Sequence, residues 1–407
     1  MALRSGERIV VVGCGPVGMV LTLALHRRGI PVTLIERNDG PIDDQRAAAI
    51  QPSSLEMLSE LGVTDEVHEK GLISPAFHYR DRMSGELVAE FDFSQLADMT
   101  EFPYVIQYEQ FKLVKTIMSY IGETPDVEYR FSCEVTGLEQ HANNVSVFLQ
   151  NQAGEDETLT TPWVVGCDGF SSVVREAANI EFVGFTYPER FVKIGTDFDF
   201  EAAGQAFCIR NFFSDPDEWV NLFKVNGYGP PGIWRTVFPI HDGETDEECL
   251  SHDGIQRRLQ KFFPKEGEYD IMYSGLYHVH QRVVETFQKG RVLVAGDAAH
   301  VNNPIGGLGM NGGIHDAVSL GEKLSRVIDG DDEALLGLYS RQRHKAQMDG
   351  VQATSIANKK LMEAKDPVVR QQQLDDVRST AEDPERSRAY CLNAGLFTSL
   401  EKAAAVK

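Results

Sequence analysis

The first residues that could do chemistry form a glycine-rich turn near the start of the chain. The segment Gly13-Cys14-Gly15-Pro16-Val17-Gly18 follows an apolar run, Ile9 to Val12, and opens an apolar helical pattern. Its first glycine allows a tight turn, the second lets a pyrophosphate approach the backbone, and the third lets helix and strand pack closely. The start of the helix offers free N–H groups to phosphates. This order of elements predicts a dinucleotide-binding turn.

An acidic residue ends the next predicted strand. Val32 to Ile35 is followed by Glu36 and Arg37. A carboxylate at this position can accept hydrogen bonds from a ribose 2′-hydroxyl, so both residues are predicted to line the adenosine half of the site. A purely structural glycine turn is the alternative. The strand, turn, helix and strand-end acid in register favour dinucleotide binding.

Two later strands also end in a carboxylate. Val164-Val165 leads into Gly166-Cys167-Asp168-Gly169, and Val292 to Ala295 leads into Gly296-Asp297. An NAD-dependent dehydrogenase usually continues with alternating strands and helices. This chain instead leaves that pattern and returns to it twice, which favours FAD, because the ribityl chain and flavin ring need partners beyond the adenosine half.

A glycine-rich loop, Pro304 to Gly313, follows the second return and opens a helix. We expect Asp297 to accept hydrogen bonds from ribityl hydroxyls, and the glycines to let the backbone lie against a flat ring. The N–H groups of Gly309-Met310-Asn311 would face the edge where a reduced flavin concentrates negative charge. A structural loop is the alternative, but it needs neither this many glycines nor an acid at a strand end.

These segments resemble the three signatures of the flavoprotein aromatic hydroxylases, the p-hydroxybenzoate hydroxylase family. The resemblance rests on Gly13 to Glu36, Asp168 to Arg175, and Gly296-Asp297 with His300 and Pro304 to Asn311, and it covers nearly the whole chain. It implies a single-component monooxygenase in which NADPH or NADH reduces FAD. A flavin C4a-hydroperoxide formed with O₂ then hydroxylates a phenolic or hydroxy-N-heteroaromatic (hydroxypyridine-type) compound.

The resemblance also implies roles by position. Arg46 is similar to the family's arginine beside the flavin and ribityl region, and Gln107 to a glutamine that contacts the FAD chain. Asp168 is similar to the acid that supports the pyrophosphate and the use of the nicotinamide. Pro304 would lie over the flavin face, which makes Pro304 and Arg46 the candidate catalytic residues, and Asn311 would lie at the pyrimidine edge. A surface polar role is the alternative for Arg46 and Gln107.

The remaining patterns predict how these segments are positioned. The fold class is α/β: a Rossmann-like FAD-binding domain with a parallel sheet, interleaved with a mostly antiparallel β-sheet substrate domain, and a helical C-terminus. Residues 1–75, 100–180 and 285–407 are predicted to form the FAD-binding domain with the C-terminal helices. Residues 76–99 and 181–284 are predicted to form the substrate domain.

Candidate substrate residues lie on the predicted strands of the second domain; they are Asn211, Phe213, Arg235, Val237 and Tyr277. The planar guanidinium of Arg235 could bind a carboxylate. Arg235 and Val237 share one strand face, while Trp234, Thr236 and Phe238 share the other. The sequence does not decide which face meets the pocket. Core packing is the alternative for the aromatic residues.

Composition excludes several functional classes. The net charge of −22, from 39 basic and 61 acidic residues, disfavours nucleic acid as a partner. No apolar run approaches the roughly 20 residues that span a bilayer. The six cysteines lack the spacing of metal or disulfide sites. We expect a cytoplasmic monomer or homodimer that binds no metal, nucleic acid or membrane and acts on a small aromatic substrate and O₂.

Two other functions stay open. One is an FAD-dependent dehydrogenase or reductase that transfers no oxygen. The other is a non-catalytic FAD-binding scaffold, which the intact flavin motifs disfavour. A disulfide reductase is disfavoured because no pair of cysteines has redox-active spacing.

Overall fold

The computed structural model describes residues 3–204, 206–230, 232–240 and 243–407. The strands are β1 (Ile9–Val12), β2 (Val32–Ile35), β3 (Ala49–Ile50), β4 (Leu72–Ser74), β5 (Ala76–Asp81), β6 (Leu87–Asp92), β7 (Val105–Gln107), β8 (Val127–Arg130), β9 (Cys133–Gln140), β10 (Val145–Asn151), β11 (Asp156–Thr161), β12 (Val164–Gly166), β13 (Phe182–Thr196), β14 (Arg210–Ser214), β15 (Val220–Val225), β16 (Ile233–Pro239), β17 (Ile271–Val284), β18 (Gln288–Lys289), β19 (Val292–Val294) and β20 (His300–Val301). The helices are α1 (Pro16–His26), α2 (Pro52–Glu60), α3 (Thr64–Lys70), α4 (Gln110–Ile121), α5 (Val173–Ala177), α6 (Asp246–Leu250), α7 (His252–Phe262), α8 (Gly309–Ile328), α9 (Ala334–Ala346), α10 (Ala353–Met362), α11 (Pro367–Glu382), α12 (Pro384–Ala394) and α13 (Phe397–Ala404). None of these described helices has both the length and the apolar composition needed to cross a bilayer.

The first sheet is made of short apolar strands that are buried on both faces, as in parallel sheets covered by helices. Every residue of β1, β2, β12 and β19 is buried. The strand order is β18-β19-β12-β1-β2-β8. The pairs from β19 to β8 are all parallel. The carboxyl ends of β1, β12 and β19 therefore lie side by side, and this brings the three predicted motifs to one edge of the sheet.

The second sheet is mostly antiparallel, which confirms the predicted fold class. Its strand order is β20-β17-β13-β16-β15-β14-β5-β6, and β14 with β5 is a parallel pair. One face carries Trp234 and Phe238 and packs on Leu259 of α7. The other face carries Val237, which belongs to a buried cluster with Ile305 and with Cys391 of α12. This second face therefore looks toward the glycine-rich loop before α8 and the C-terminal helices.

Two local predictions differ from the structure. The alternation of apolar and polar residues between Val127 and Leu159 predicts two or three strands. In the structure this segment enters four strands, of which β8 joins the parallel sheet and β9 to β11 form a sheet of their own. Runs rich in β-branched and aromatic residues also predict strands over Phe191 to Phe198 and Ile271 to Val279. The strands of the structure extend beyond these ranges, since β13 starts at Phe182 and β17 ends at Val284. The extra length is partly exposed, so it lacks the apolar alternation by which a strand is recognised.

Candidate active site

The glycine turn joins β1 to α1 and contains one open position. Gly13 has a φ of +104°, and a Cβ there would lie 2.4 Å from the carbonyl oxygen of Cys167. A Cβ on Gly18 would lie 2.0 Å from the carbonyl oxygen of Gly13. No atom lies within 4 Å of a Cβ built on Gly15. Packing therefore requires the first and third glycines, whereas Gly15 leaves space at the N-terminus of α1, where N–H groups have no helical partner.

Glu36 lies directly over this turn. Its Oε2 accepts a hydrogen bond from the backbone N–H of Cys14 at 2.9 Å, and its Oε1 accepts one from the N–H of Asn38 at 3.0 Å. The carboxylate is thereby fixed at the carboxyl end of β2 and keeps lone pairs for a further donor. Arg37 beside it is exposed. This geometry suits an acceptor of ribose hydroxyl groups.

Asp297 follows β19 and faces the same space. A Cβ on Gly296 would lie 2.7 Å from Cγ2 of Val17, so Val17 packs the first turn of α1 against the turn that carries Asp297. Asp297 is exposed, although the residues on either side of it are buried. The surrounding protein raises the pKa of its carboxyl group, while His300 and Arg46 act in the opposite direction.

A buried polar network holds this turn. Asp316 of α8 accepts hydrogen bonds from the N–H of Gly296 at 3.0 Å and from Nε of Arg343 at 2.6 Å, and its Oδ2 lies 2.6 Å from Nε2 of His300. Burial alone would raise the pKa of Asp316, but His300 and Arg343 outweigh that effect and hold it at about 2. The network couples α8 to the position of Asp297.

Asn311 fastens the glycine-rich loop. Its Oδ1 accepts a hydrogen bond from the N–H of Gln51 at 2.8 Å, and its Nδ2 donates to the carbonyl oxygens of Ala49 at 2.8 Å and Gly307 at 2.7 Å. The side-chain amide is therefore fully used inside the protein. At the pyrimidine edge suggested by the resemblance, the backbone N–H groups of Gly309, Met310 and Asn311 in the first turn of α8 are the available donors.

Gln107 is a buried residue with an unpaired acceptor. It is 1 % exposed on β7, and its Oε1 has no hydrogen-bond partner among the described residues. Gln51, which directly follows β3, also has a buried Oε1 without a hydrogen-bond partner among the described residues. A buried acceptor without a donor is costly, on the order of 1–3 kcal/mol. A hydroxyl-bearing ligand between these strands and Asp297 would satisfy both amides.

The hydrogen bonds of Asp168, by contrast, are to residues of its own segment. Its Oδ1 accepts from the Ser172 hydroxyl at 2.5 Å and its Oδ2 from the N–H of Val174 at 3.2 Å. Burial raises the pKa of Asp168, and these two hydrogen bonds oppose the rise. Arg175 then donates to the carbonyl oxygens of Phe170 at 2.8 Å and Ala298 at 3.2 Å. Asp168 thus shapes the segment, and Arg175 ties the second motif to the third.

Arg235 of the second sheet forms a hydrogen bond with the backbone of the loop that carries Arg46. Arg46 is exposed, and its Nε lies 2.5 Å from Oδ2 of Asp44. The buried Arg235 donates from Nη1 to the carbonyl oxygen of Arg46, from Nη2 to Oε1 of Gln45 at 2.8 Å, and from Nε to the Tyr273 hydroxyl at 2.6 Å. The sequence suggested a carboxylate ligand at Arg235. In the structure the guanidinium instead anchors the loop that carries Arg46.

Pro304 begins the turn that leads to α8. Its carbonyl oxygen accepts a hydrogen bond from the N–H of Gly307 at 3.0 Å, and the residue is half-buried. Its neighbour Ile305 is buried in the same cluster as Val237. Pro304 therefore follows the Asp297 turn in the chain and directly precedes a residue that packs in the buried cluster of the sheet face that carries Val237.

The predicted substrate residues divide between the two faces of the second sheet. Arg235, Val237 and Tyr277 share the face toward the loop, and burial raises the pKa of Tyr277. Asn211 and Phe213 are on the opposite face, where Asn211 donates to the Cys208 carbonyl at 2.6 Å and the Phe213 ring packs on Phe262 of α7. The two candidates on β14 are therefore each one residue away from a position that faces the loop.

Four residues on the loop-facing side were missed: Arg210, Phe212, Phe223 and Lys193. The register aligns Arg210 with Phe223 and Phe223 with Arg235, so these three share a face. Lys193 donates to the Gln45 carbonyl at 2.9 Å, and burial lowers its pKa despite nearby Asp44. These residues can be identified only from how the strands pair, and a single sequence does not give that pairing.

These residues fit FAD as a ligand. The space at Gly15, the carboxylates of Glu36 and Asp297, and the unpaired oxygen of Gln107 offer what a pyrophosphate, a ribose and a ribityl chain require. The free N–H groups at the start of α8 suit an electron-rich ring edge. The described residues contain no group of His, Cys, Asp or Glu side chains arranged to hold a metal ion.

Comparisons with known proteins agree with this fit. The family model described as an FAD binding domain matches residues 7–354. The chain is 33% identical to para-nitrophenol 4-monooxygenase of Pseudomonas sp. strain WBC-3 over 376 residues, which is 90% of each chain. It is 31% identical to 6-hydroxy-3-succinoylpyridine 3-monooxygenase of Pseudomonas putida strain DSM 28022 / S16, over 94% of this chain and 96% of that protein.

Solved structures are similar as well. The crystal structure of p-nitrophenol 4-monooxygenase from Pseudomonas putida DLL-E4 has a TM-score of 0.91 and 31% identity, over 97% of this chain and 98% of that one. A flavin-dependent monooxygenase in complex with FAD and substrate has a TM-score of 0.78 at 22% identity, over 98% of this chain and 71% of that one, and so shares the fold. The chain belongs to the family of FAD-dependent aromatic hydroxylases and is a flavoprotein monooxygenase.

Proposed function

We propose that this protein hydroxylates a small phenolic or hydroxypyridine-type compound with NADPH or NADH and O₂. The observation that carries the proposal is the packing of Ile305, the neighbour of Pro304, in the buried cluster on the aromatic face of the second sheet. Phe212, Phe223 and Tyr277 on that face keep accessible surface, although the cluster around them is buried. The names of the relatives support the substrate class, because one acts on para-nitrophenol and another on a hydroxylated succinoylpyridine.

Bound FAD, once reduced by NADPH or NADH, supplies activated oxygen for transfer of one oxygen atom to the substrate ring. The chain's residues hold and orient the reactants. The glycine turn and Glu36 would hold the adenosine diphosphate half. Asp297 and Gln107 would hold the ribityl chain. The first N–H groups of α8 would stabilise negative charge on the ring edge.

Exclusion of water is the other requirement, because water in the pocket would divert the reduced oxygen into hydrogen peroxide. Arg235 and Lys193 pin the loop around Gln45 to the second sheet, which closes one side of the cleft. Pro304, with its fixed φ, limits the movement of the loop on the other side. We assign Pro304 and Arg46 to the reacting end of the site on this basis.

The main alternative is an FAD-dependent dehydrogenase or reductase that transfers no oxygen. The same residues would bind FAD in such an enzyme. The two functions therefore differ only in whether an oxygen atom is transferred to the substrate. A non-catalytic FAD-binding scaffold has less support, since the aromatic face beside Pro304 would then have no purpose that these contacts explain.

We further propose that residues 1–75, 100–180 and 285–407 form the FAD-binding domain and residues 76–99 and 181–284 the substrate domain. The separate hydrophobic clusters of the two sheets support this division. All six cysteines are unpaired, which supports a reducing compartment, the cytoplasm. A monomer or a homodimer is the proposed oligomeric state.

The proposal is tested by screening phenols and hydroxypyridines with the FAD-loaded protein. We expect a subset of these compounds to stimulate NADPH or NADH oxidation and to yield a product heavier by one oxygen atom. Stimulated oxidation without any oxygenated product would favour the dehydrogenase. Absence of stimulation by every compound of both classes would contradict the proposed substrate class.

A further inference from the structure

Asp316 of α8 connects the two segments that would hold the flavin end of FAD, the Asp297 turn and the start of α8. One oxygen of its buried carboxylate accepts a hydrogen bond from the backbone N–H of Gly296, at 3.0 Å. Its other oxygen accepts one from Nε of Arg343, at 2.6 Å. Arg343 also donates from Nη2 to the carbonyl oxygen of Gly312, in the first turn of α8, at 3.2 Å. The Asp316–Arg343 pair therefore holds the Asp297 turn against the start of α8.

The two side chains of this pair carry opposite charges in the interior of the protein. Although burial raises the pKa of Asp316, His300 and Arg343 lower it to about 2, so the carboxylate is ionised at neutral pH. An arginine guanidinium carries a positive charge. Burial and then Arg343 lower the pKa of His315 to about 3, so this nearby imidazole is neutral at pH 7. One full charge of each sign is thus kept away from water beneath the Asp297 turn.

Stability alone is a weak explanation for such a pair, because replacing a buried ion pair by apolar residues is often neutral or stabilising. The polar side chains around it also pack directly under α8. A Cβ on Gly312 would lie 2.7 Å from Nε2 of Gln347 and 3.3 Å from Cε1 of His300, whose own Nε2 is 2.6 Å from Asp316. A charge fixed at this position therefore acts on any group that binds at the start of α8.

The charge of the pair bears on the oxidation state of a flavin at this place. Reduced FAD carries more negative charge than oxidised FAD, and charges in a protein interior are screened much less than charges at its surface. An unbalanced positive charge would therefore favour reduced FAD, and an unbalanced negative charge would favour oxidised FAD. In the native protein Asp316 and Arg343 balance each other.

We propose that Asp316 and Arg343 are positioning residues that set the reduction potential of bound FAD, by holding the Asp297 turn against α8 and by balancing the charge beneath it. Both act through the segments that they hold. The inference rests on FAD binding and not on the proposed aromatic substrate. It separates two effects, since the hydrogen bonds determine how tightly FAD is held and the charge balance determines which oxidation state is preferred.

The test measures the midpoint potential of the FAD-loaded protein by anaerobic reductive titration against a reference dye, so it does not depend on turnover. Measurement at pH 9 keeps Asp316 ionised when its partner is removed. Asp316→Asn leaves Arg343 unbalanced and should raise the potential, whereas Arg343→Met leaves Asp316 unbalanced and should lower it. In each variant the ratio of the affinities for reduced and oxidised FAD should change roughly tenfold, the scale of one poorly screened charge. A tenfold change corresponds to about 30 mV for a two-electron couple.

The double variant Asp316→Asn with Arg343→Met restores the charge balance without restoring the hydrogen bonds. Its potential should return to the wild-type value, while its dissociation constant for oxidised FAD, measured by titration of the apoprotein, should stay above that of the wild type. Arg258→Met is the matched control, because Arg258 is another buried arginine that is paired with a carboxylate, Glu244. It lies on α7, which packs on the opposite face of the second sheet, so its loss should leave the potential unchanged.

Wild-type potentials in both single variants would overturn the proposal, and so would shifts of the same sign, because a loosened turn without a charge effect gives no opposite signs. A double variant that stays at the potential of either single variant would overturn it as well. If one single variant does not retain FAD, the sign of the shift in the other decides. Opposite shifts in a protein that hydroxylates no aromatic compound would contradict the proposed function and leave the role of this pair standing.

Discussion

The guanidinium of Arg235 donates a hydrogen bond to the backbone carbonyl of Arg46, across the boundary between the second sheet and the loop before β3. Together with the bonds to Gln45 and Tyr273, it joins the substrate side to the cofactor side of the cleft. Arg235, together with Lys193, thereby holds one wall of the pocket in place.

Arg235→Lys should therefore impair coupling more than it impairs cofactor reduction. One ammonium group cannot reproduce three donors in a fixed plane, so the loop around Gln45 should loosen. We expect the free energy of unfolding to fall by roughly 1–3 kcal/mol and a larger share of NADPH or NADH oxidation to end as hydrogen peroxide. Arg257→Lys is the control, because it makes the same exchange at an exposed arginine. A wild-type ratio of product to peroxide in Arg235→Lys would show that the loop anchor has no part in coupling.

Gly15→Val should remove FAD without unfolding the protein. No atom lies within 4 Å of a Cβ at this position, so the apoprotein tolerates the side chain, but the space for a pyrophosphate is filled. Gly13→Ala should behave in the opposite way, because it meets the Cys167 carbonyl at 2.4 Å and needs a φ of +104°. We expect a stability loss on the order of 1–3 kcal/mol for Gly13→Ala and little for Gly15→Val. FAD titration and urea unfolding of both apoproteins test the pair, and tight FAD binding by Gly15→Val would place the pyrophosphate elsewhere.

The buried His315 should make the protein sensitive to mild acid. Burial and then Arg343 lower its pKa from 6.5 to about 3, with Asp316 opposing them. Between these two pH values the unfolded chain binds a proton that the folded protein does not, so stability falls as the pH drops below about 6.5. The contribution is about 1.4 kcal/mol per pH unit within that window.

His315→Gln removes the titratable imidazole. The glutamine amide can still form hydrogen bonds with Ser53 and Ser54, whose Oγ atoms lie 3.2 and 3.1 Å from Nε2 of His315. Urea unfolding with excess FAD at pH 6.5, 5.5 and 4.5 should show a shallower loss of stability in the variant. Parallel pH profiles for the two proteins would mean that His315 does not titrate in this range.

Local patterns made the cofactor side of the site predictable. The apolar runs before Gly13, Asp168 and Asp297 are short and continuous, and parallel strands of that kind end at one edge of a sheet. The substrate side depends on partners distant in sequence. Nothing near Arg235 indicates that Gln45 and Arg46 occupy its donors, and nothing near Arg210 indicates which face of β14 meets the loop. Those facts reside in the strand register and were therefore visible only in the folded chain.

The central claim, oxygen transfer by an FAD-dependent monooxygenase, is tested most directly with isotopically labelled dioxygen. The FAD-loaded protein, NADPH or NADH, and a stimulating phenol or hydroxypyridine are incubated under ¹⁸O₂, and the product is analysed by mass spectrometry against the amount of nicotinamide oxidised. The account predicts one labelled oxygen atom in each product molecule, with product formed in proportion to the nicotinamide consumed. Nicotinamide oxidation that yields only hydrogen peroxide or a dehydrogenated product, with no label in the ring, would contradict it.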